Sequence, residues 1–347
     1  MLTQISIEIT MKISQLHFLY LVVFLSFSCK DHTANTIEAS NTLNSTKLIG
    51  EVFGTSYSII YDSDTDFQKA IDSVFKRINH SMSTYQVDSD ISRINRNEDV
   101  AVDQNFKRVF EASKVIYKET NGAFDPTIGA VVNAWDFGPE GRIVSLDSTK
   151  IDSLMSDVGF NKISINNDFV KKNKGTFIDF NAIAKGYGVD AVGEFLESQN
   201  IDNYLVEIGG EIRVKGRNIE KDAEWKVGIE EPHFDGERSI FKTLELIDES
   251  MATSGVYRKF KVDEDGNRYS HIIDTETGYP SKSNILSISV IAKTCMYADG
   301  YATAFKSMGI AKVEEFLKNH PELKVYIIYD DGNGKFATLS LNGFPNQ

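Results

Sequence analysis

The apolar positions change period several times along the chain, and each change marks an element. Residues 48–61 (LIGEVFGTSYSIIY) alternate apolar and polar side chains around Gly breaks, which predicts two strands or one bulged strand. Within 66–82, Phe67, Ile71, Val74, Phe75 and Ile78 recur at helical spacing. Within 103–120, Phe106, Val109, Phe110, Val115 and Ile116 do the same, until Asn121 and Gly122 stop the helix. A short helix is predicted over 147–158, short strands within 163–178, and a helix rich in Ala, Gly and aliphatics over 182–199. Residues 204–215, with Gly209 and Gly210 inside, read as strand–turn–strand, and 225–229, 240–247 and 285–292 as further strands. Helices over 298–308 and 310–319 precede two last strands at 325–329 and 336–341.

The strands come in hairpin-like groups joined by short turns, not by helical crossovers. That pattern predicts an α+β fold with antiparallel sheets and packed helices rather than a doubly wound parallel sheet. No repeat of 20–50 residues is present, and no low-complexity linker divides residues 47–347, so these read as one catalytic domain.

The first segment breaks this pattern. From Met11, one Lys precedes an apolar run over 16–27, followed by Ser28 and Cys29. The run is too short to span a bilayer and reads as a signal peptide over 1–29, with Met11 as the more natural start. Cys29 after a small residue has the form of a lipoprotein signal, which predicts lipid anchoring at Cys29; an ordinary signal peptide with an incidental Cys is the alternative. Residues 30–46 are polar and aperiodic, a flexible tether. Only Cys29 and Cys295 are present, so a structural disulfide is not expected once Cys29 is acylated or removed.

Composition narrows the function classes. The 347 residues are 41% hydrophobic and 25% charged, a globular balance. The net charge of −13 and the absence of a Lys/Arg stripe argue against a nucleic-acid partner. There is no P-loop, GxGxxG, HExxH, CxxC or GxSxG, and the 6 His are scattered singly. Oxygen ligands remain, and these suit Mg²⁺ or Ca²⁺.

Five stretches carry candidate chemistry, each with a plain structural alternative. MSTYQVDSDISRIN (82–95) puts Tyr85 in a polar loop: a surface aromatic beside a helix cap, or a stacking platform for a flat ring. NGAFDPTIGAVVNAWDFG (121–138) ends one helix and, with Pro126 at a first helical position, opens another; it is a good cap, or helix-start amides with Phe124 that hold an anionic or aromatic ligand. FIDFNAIAKGYGVDAVGEF (177–195) ends a strand at Asp179; its small residues allow close helix–sheet packing or close approach to a ligand whose phosphate Lys185 could meet. MATSGVYRKF (251–260) joins SHIIDTETGYPS (270–281), where His271 sits at a strand start as a structural residue or a catalytic one. In CMYADGYATAF (295–305), Asp299 and Thr303 share a helical face: an acid near a helix start with a Thr one turn on, or two oxygen ligands for a metal.

Taken in order, TYxxDSDISxIN, NGAFDPTIG, IDFNAIAKGYGVD, VEIGGEIRVKG, MATSG, HIIDTETGYP and YADGYATA resemble the ApbE family of flavin transferases, from about Gly54 to Ala304. The resemblance implies a T-fold-like α+β architecture. It also implies FAD as substrate and Mg²⁺, with transfer of the FMN half onto a Thr or Ser hydroxyl of a target protein and release of AMP. Carried onto this sequence, metal ligation falls on Asp299, Thr303 and the carbonyl of Ala184, with Ala302 offering a further carbonyl. FAD contacts fall on Tyr85, Ala123, Phe124, Asp125, Asn181, Tyr187, Ser254 and His271, while Lys185 and the Thr253–Gly255 turn lie near the pyrophosphate. His271 or Asp179 serves as base. Phe180 and Asn181 stand where the family varies, and Glu207 and Glu211 flank the Gly pair where many members have Asn and Asp. The acceptor implied is a membrane electron-transfer subunit, reached on the periplasmic side of a bacterial membrane. Two alternatives use the same residues: a Mg²⁺-dependent FAD pyrophosphatase, and a non-catalytic FAD-binding lipoprotein.

Overall fold

The first alternating stretch folds back on itself. β1 (Thr46–Val52) pairs with β2 (Thr55–Tyr61) from Thr46↔Tyr61 to Val52↔Thr55. Phe53 and Gly54 make the two-residue turn, both at positive φ (53° and 74°), the combination a right-twisted hairpin needs. The computed structural model describes residues 45–258, 260–262, 268–333 and 335–345. The signal peptide, Cys29 and all but the end of the tether lie outside the described residues.

Along the chain follow α1 (Gln68–Met82), α2 (Asp90–Asn95), α3 (Gln104–Glu119), α4 (Gly129–Ala134) and α5 (Ser148–Met155). A small hairpin, β3 (Ser164–Asn166) with β4 (Phe169–Lys171), leads to α6 (Ala184–Ser198). Next come β5 (Tyr204–Ile208), β6 (Glu211–Lys215), β7 (Trp225–Glu230), β8 (Ile240–Leu246) and β9 (Ser250–Gly255). A second small hairpin, β10 (Phe260–Val262) with β11 (Arg268–Ser270), precedes β12 (Ile285–Ala292). The chain closes with α7 (Cys295–Met308), α8 (Ile310–Leu317), β13 (Lys324–Asp330) and β14 (Phe336–Leu341). No helix among the described residues is long and apolar enough to cross a membrane.

Eight strands form one sheet in the order β1-β2-β5-β6-β9-β12-β13-β14, and every neighbouring pair is antiparallel. The α+β expectation is met. Strand periodicity sends alternate residues to two cores. Ile288, Val290 and Ala252 join the helix-side core, whereas Ile291 and Met251 join a second core under the β7–β8 hairpin. Covered on both faces, β12 is almost wholly buried.

The sheet is not fully zipped. β6 and β9 share only Ile212↔Met251 and Arg213↔Ser250. Beyond that, β9 runs past the Gly209–Gly210 turn, and a notch opens between the turn and residues 252–255.

On the helix side, α6 and α7 pack closely. Gly186 makes this possible, since a Cβ there would overlap the Cys295 carbonyl and lie 2.8 Å from Cβ of Asp299. The first turn of α7 has no side-chain cap of its own. Its orphan amides at Cys295 and Met296 donate instead to the Asp190 carboxylate of α6 (3.0 and 2.8 Å), which ion-pairs with Arg213 of β6 at 3.1 Å.

Several local expectations are corrected. α7 starts at Cys295 rather than 298, so Asp299 lies in the second helical turn and not at the helix start. Pro126 is not a first helical residue: α4 starts at Gly129, because the Asp125 carboxylate accepts from Thr127 N and Oγ1 and holds a turn there. Residues 251–255 belong to β9 and are not a turn. The segment through Asp179 is an extended loop with a single bridge, Ile128↔Phe177. His271 directly follows β11 instead of starting a strand.

Asp190→Ala should lower folding stability by about 1–3 kcal/mol, because it leaves two helix amides unpaired, while Arg213 keeps its contact with Glu197 at 2.9 Å. Urea unfolding reads this, and a loss below about 1 kcal/mol would mean that solvent or other groups replace the cap.

Candidate active site

The notch widens into a cavity of about 1110 Å³, walled by both cores. From the helix side come Ala184 and Lys185, at the first turn of α6, and Asp299 and Thr303, one turn apart on α7. From the sheet come Thr253, Ser254 and Gly255 at the end of β9, and Glu207, Gly209, Gly210 and Glu211 around the β5–β6 turn. Loops supply Tyr85, the run Ala123 to Asp125, Asp179, Asn181 and His271. The cavity thus gathers every sequence-derived site residue except Tyr187 and Ala302.

The deepest part is charged. Glu211 is 2% exposed and Asp299 4%. The Lys185 ammonium lies 2.5 Å from Oε2 of Glu211. Asp299 Oδ2 accepts from Gly186 N–H at 3.0 Å. Burial raises the pKa of Asp299, opposed by Lys185 and that N–H. Burial likewise raises Glu211, to about 7, against the pull of Lys185. Burial works to lower Lys185, but the attraction of Glu211 and Asp299 outweighs it and the net direction is up. With both acids ionised, two carboxylates face one ammonium, which leaves room for a further positive charge.

The donor set around Asp299 is made of hard oxygens. The Thr303 and Ser254 hydroxyls lie 3.2 Å apart, bridging α7 and β9. Among the described residues no group of three or more His, Cys, Asp or Glu is placed to hold a metal. A cation here would need mixed ligands: carboxylate, hydroxyl and main-chain carbonyl. That mixture suits Mg²⁺, and the surplus carboxylate charge fits it. Ala302 is fully buried and does not line the cavity.

The walls combine apolar and polar surface. Tyr85 stands exposed at the edge; partial burial, and then the charge of Asp179, raise its pKa. Phe124 is buried in the wall. The Asp179 carboxylate accepts from Asn181 N (2.7 Å) and Nδ2 (3.1 Å), and the same Nδ2 also reaches Thr84 Oγ1 at 3.3 Å. Those contacts use both amide protons and leave Asn181 Oδ1 as an acceptor. Asp125 is largely spent on structure, since it also accepts from Phe160 N at 3.2 Å. The His271 ring packs edge-on to Phe137, with centroids 6.2 Å apart.

Tyr187 is the correction. It is 1% exposed, its hydroxyl donates to Asn105 Oδ1 at 2.7 Å, and the Arg108 guanidinium covers its ring. Two residues after Lys185 is about 200° around a helix, so the side chain faces the core instead of the cavity.

Two features were missed from the sequence. Glu211 is the buried partner of Lys185; the only signal was a charge directly after a Gly–Gly turn, at a position that strand alternation turns inward. At the rim, Glu230 of β7 bonds both Arg238 and Arg258. Nothing local announces that three-residue cluster, which forms from separated segments.

Comparison with known proteins agrees with this architecture. Residues 53–327 match the profile of the ApbE family. An FAD:protein FMN transferase of Haemophilus influenzae is 38% identical over 317 residues, covering 86% of this chain and 90% of that protein. The FAD:protein FMN transferase of Escherichia coli is 31% identical over 261 residues, 73% of each chain. The solved structure of the flavin transferase ApbE from Vibrio cholerae superposes with a TM-score of 0.77 at 35% identity, covering 86% of this chain and 97% of that one.

Gly186→Ala should destabilise the fold by about 1–3 kcal/mol and push Asp299 off its N–H partner, since the added methyl has nowhere to go. Thermal unfolding checks the first effect, and an unchanged midpoint would show that the helices can part. Tyr187→Phe should cost about 0.5–1.5 kcal/mol for the lost hydrogen bond. Flavin binding, read by fluorescence quenching, should stay unchanged; a weakened flavin complex would return Tyr187 to the site.

Proposed function

The chain belongs to the ApbE family, and from that premise we propose that it transfers the FMN half of FAD onto a Thr or Ser hydroxyl of an acceptor protein and releases AMP. One observation carries the reading: Asp299, Lys185 and Thr303 converge on the wall of one cavity whose other walls offer aromatic and amide surface. An anionic, flat-ringed dinucleotide has the matching chemistry.

The roles follow from the geometry. Tyr85 and Phe124 offer ring surface to the isoalloxazine, and Asn181 Oδ1 accepts from a ring N–H. Lys185 draws the pyrophosphate as a point charge, with Ser254 and Thr253 at the end of β9 as hydroxyl and amide donors. Asp299, Thr303 and the Ala184 carbonyl would hold Mg²⁺, which when bound supplies charge neutralisation at the pyrophosphate.

In the transfer, the acceptor hydroxyl oxygen bonds to the FMN-side phosphorus. The bond from that phosphorus to the bridging oxygen breaks, and AMP leaves with that oxygen and its electron pair. The hydroxyl proton needs an acceptor. Asp179 and His271 both line the cavity and are the two candidate bases. Positioning by the cavity supplies the rest of the rate.

The acceptor is proposed to be a membrane electron-transfer subunit. The chain itself is proposed to sit on the periplasmic side of a bacterial membrane, lipid-anchored at Cys29. The apolar run over 16–27 directly before Ser28 and Cys29 supports this reading.

Incubation with FAD, Mg²⁺ and a candidate acceptor domain should give an FMN-sized mass increase on a single Thr or Ser. Free FMN beside an unmodified acceptor would assign hydrolysis instead. Asp299→Ala, or EDTA, should lower turnover at least about 100-fold, the scale of a lost metal contribution; full activity in either case would remove the metal from the mechanism. Cys29→Ser should abolish palmitate labelling of the chain in cells, and persistent labelling would refute the anchor.

A further inference from the structure

We infer that Glu211 is a positioning residue that keeps the Lys185 ammonium off Asp299, so that the Asp299 carboxylate stays available to a divalent cation. The inference rests on the proposal that Asp299 is a metal ligand.

Lys185 has two buried anions to choose between, Glu211 and Asp299, and both attract it. The structure pairs it with Glu211 at 2.5 Å. The ammonium both pairs with the Glu211 carboxylate by charge and hydrogen-bonds to it. The carboxylate is held in place by its backbone. Glu211 opens β6 directly after Gly209 and Gly210, both at positive φ (65° and 105°), and Gly210 N–H is bound by Glu207 Oε1 at 2.7 Å. The β5–β6 hairpin therefore presents one fixed anion to a long, flexible lysine.

Removing that anion leaves a cation in a desolvated place. An unpaired buried ammonium is costly, and its remaining counter-charge is Asp299. A four-carbon stem lets it move there. Lys185 would then occupy the carboxylate that the metal needs, and the two cations would compete. Asp299 cannot move away, because α7 is clamped by Asp190 and its Oδ2 is tied to Gly186 N–H.

The test is Mn²⁺ binding to the detergent-solubilised full chain, read from the free-ion electron paramagnetic resonance signal, in a double-mutant cycle. Glu211→Gln should weaken Mn²⁺ binding about tenfold when Lys185 is present, a change of about 1.4 kcal/mol. In the Lys185→Met background the same substitution should change it less than about twofold, because no ammonium remains to migrate. An equal loss in both backgrounds would overturn the inference, since a direct ligand or a simple field effect of Glu211 acts without Lys185. No loss with Lys185 present would overturn it too. Asp299→Ala separates the underlying reading: if it leaves Mn²⁺ affinity unchanged, or if the unmodified chain binds no Mn²⁺, the metal proposal fails and this inference with it. Matching thermal midpoints among the variants show that the fold is intact.

Discussion

The site depends on the close approach of α6 and α7. Gly186 lets the Cys295 carbonyl come within the space a methyl group would fill, and Asp190 caps the first turn of α7 from one helix turn further along α6. Neither helix begins with a side-chain cap of its own. The orphan amides of α7 are satisfied only when the two helices are docked, so helix formation and tertiary packing become one event. That docking sets Lys185 and Asp299 side by side.

Charge then gives the cavity its character. The chain is acidic overall, at −13, but the relevant charges are those removed from water. Exposed acids are screened and say little about ligands. Glu211 and Asp299 are buried with a single lysine between them, and burial magnifies each imbalance. With both acids ionised, this interior has room for a further positive charge. The rim carries the opposite arrangement, two arginines around the one carboxylate of Glu230.

The sheet provides the opening. A fully paired sheet with a core on each face would seal the helix side from the hairpin side. The β5–β6 turn is too short to accompany β9 along its length, so pairing stops after two residues and the wall is breached. Side chains from both faces then line one space. The polar end of β9, where Thr253 and Ser254 hydroxyls bond to Ser289 and Thr303, takes the place of the apolar packing that continues elsewhere.

Much of this was readable along the chain, because it is set by local periodicity. The helical spacing of Ile71, Val74, Phe75 and Ile78 needed no partner to be recognised, nor did the strand–turn–strand around Gly209. The ordered motifs likewise pointed to a flavin transferase, and Asp299 with Thr303 stood out by spacing alone. Other features depend on residues distant in sequence. The start of α7 was misjudged because its cap comes from Asp190, 105 residues earlier. That Tyr187 turns away from the cavity was not legible because a motif carries no helical phase, and Glu211 was passed over because its partner lies on another element. Sequence by itself determined most of the elements, the fold class and the family, since those follow from side-chain period and the order of motifs. Only the tertiary structure decided which charges are dry and which of them meet, because desolvation and pairing exist only once separate elements close on one another.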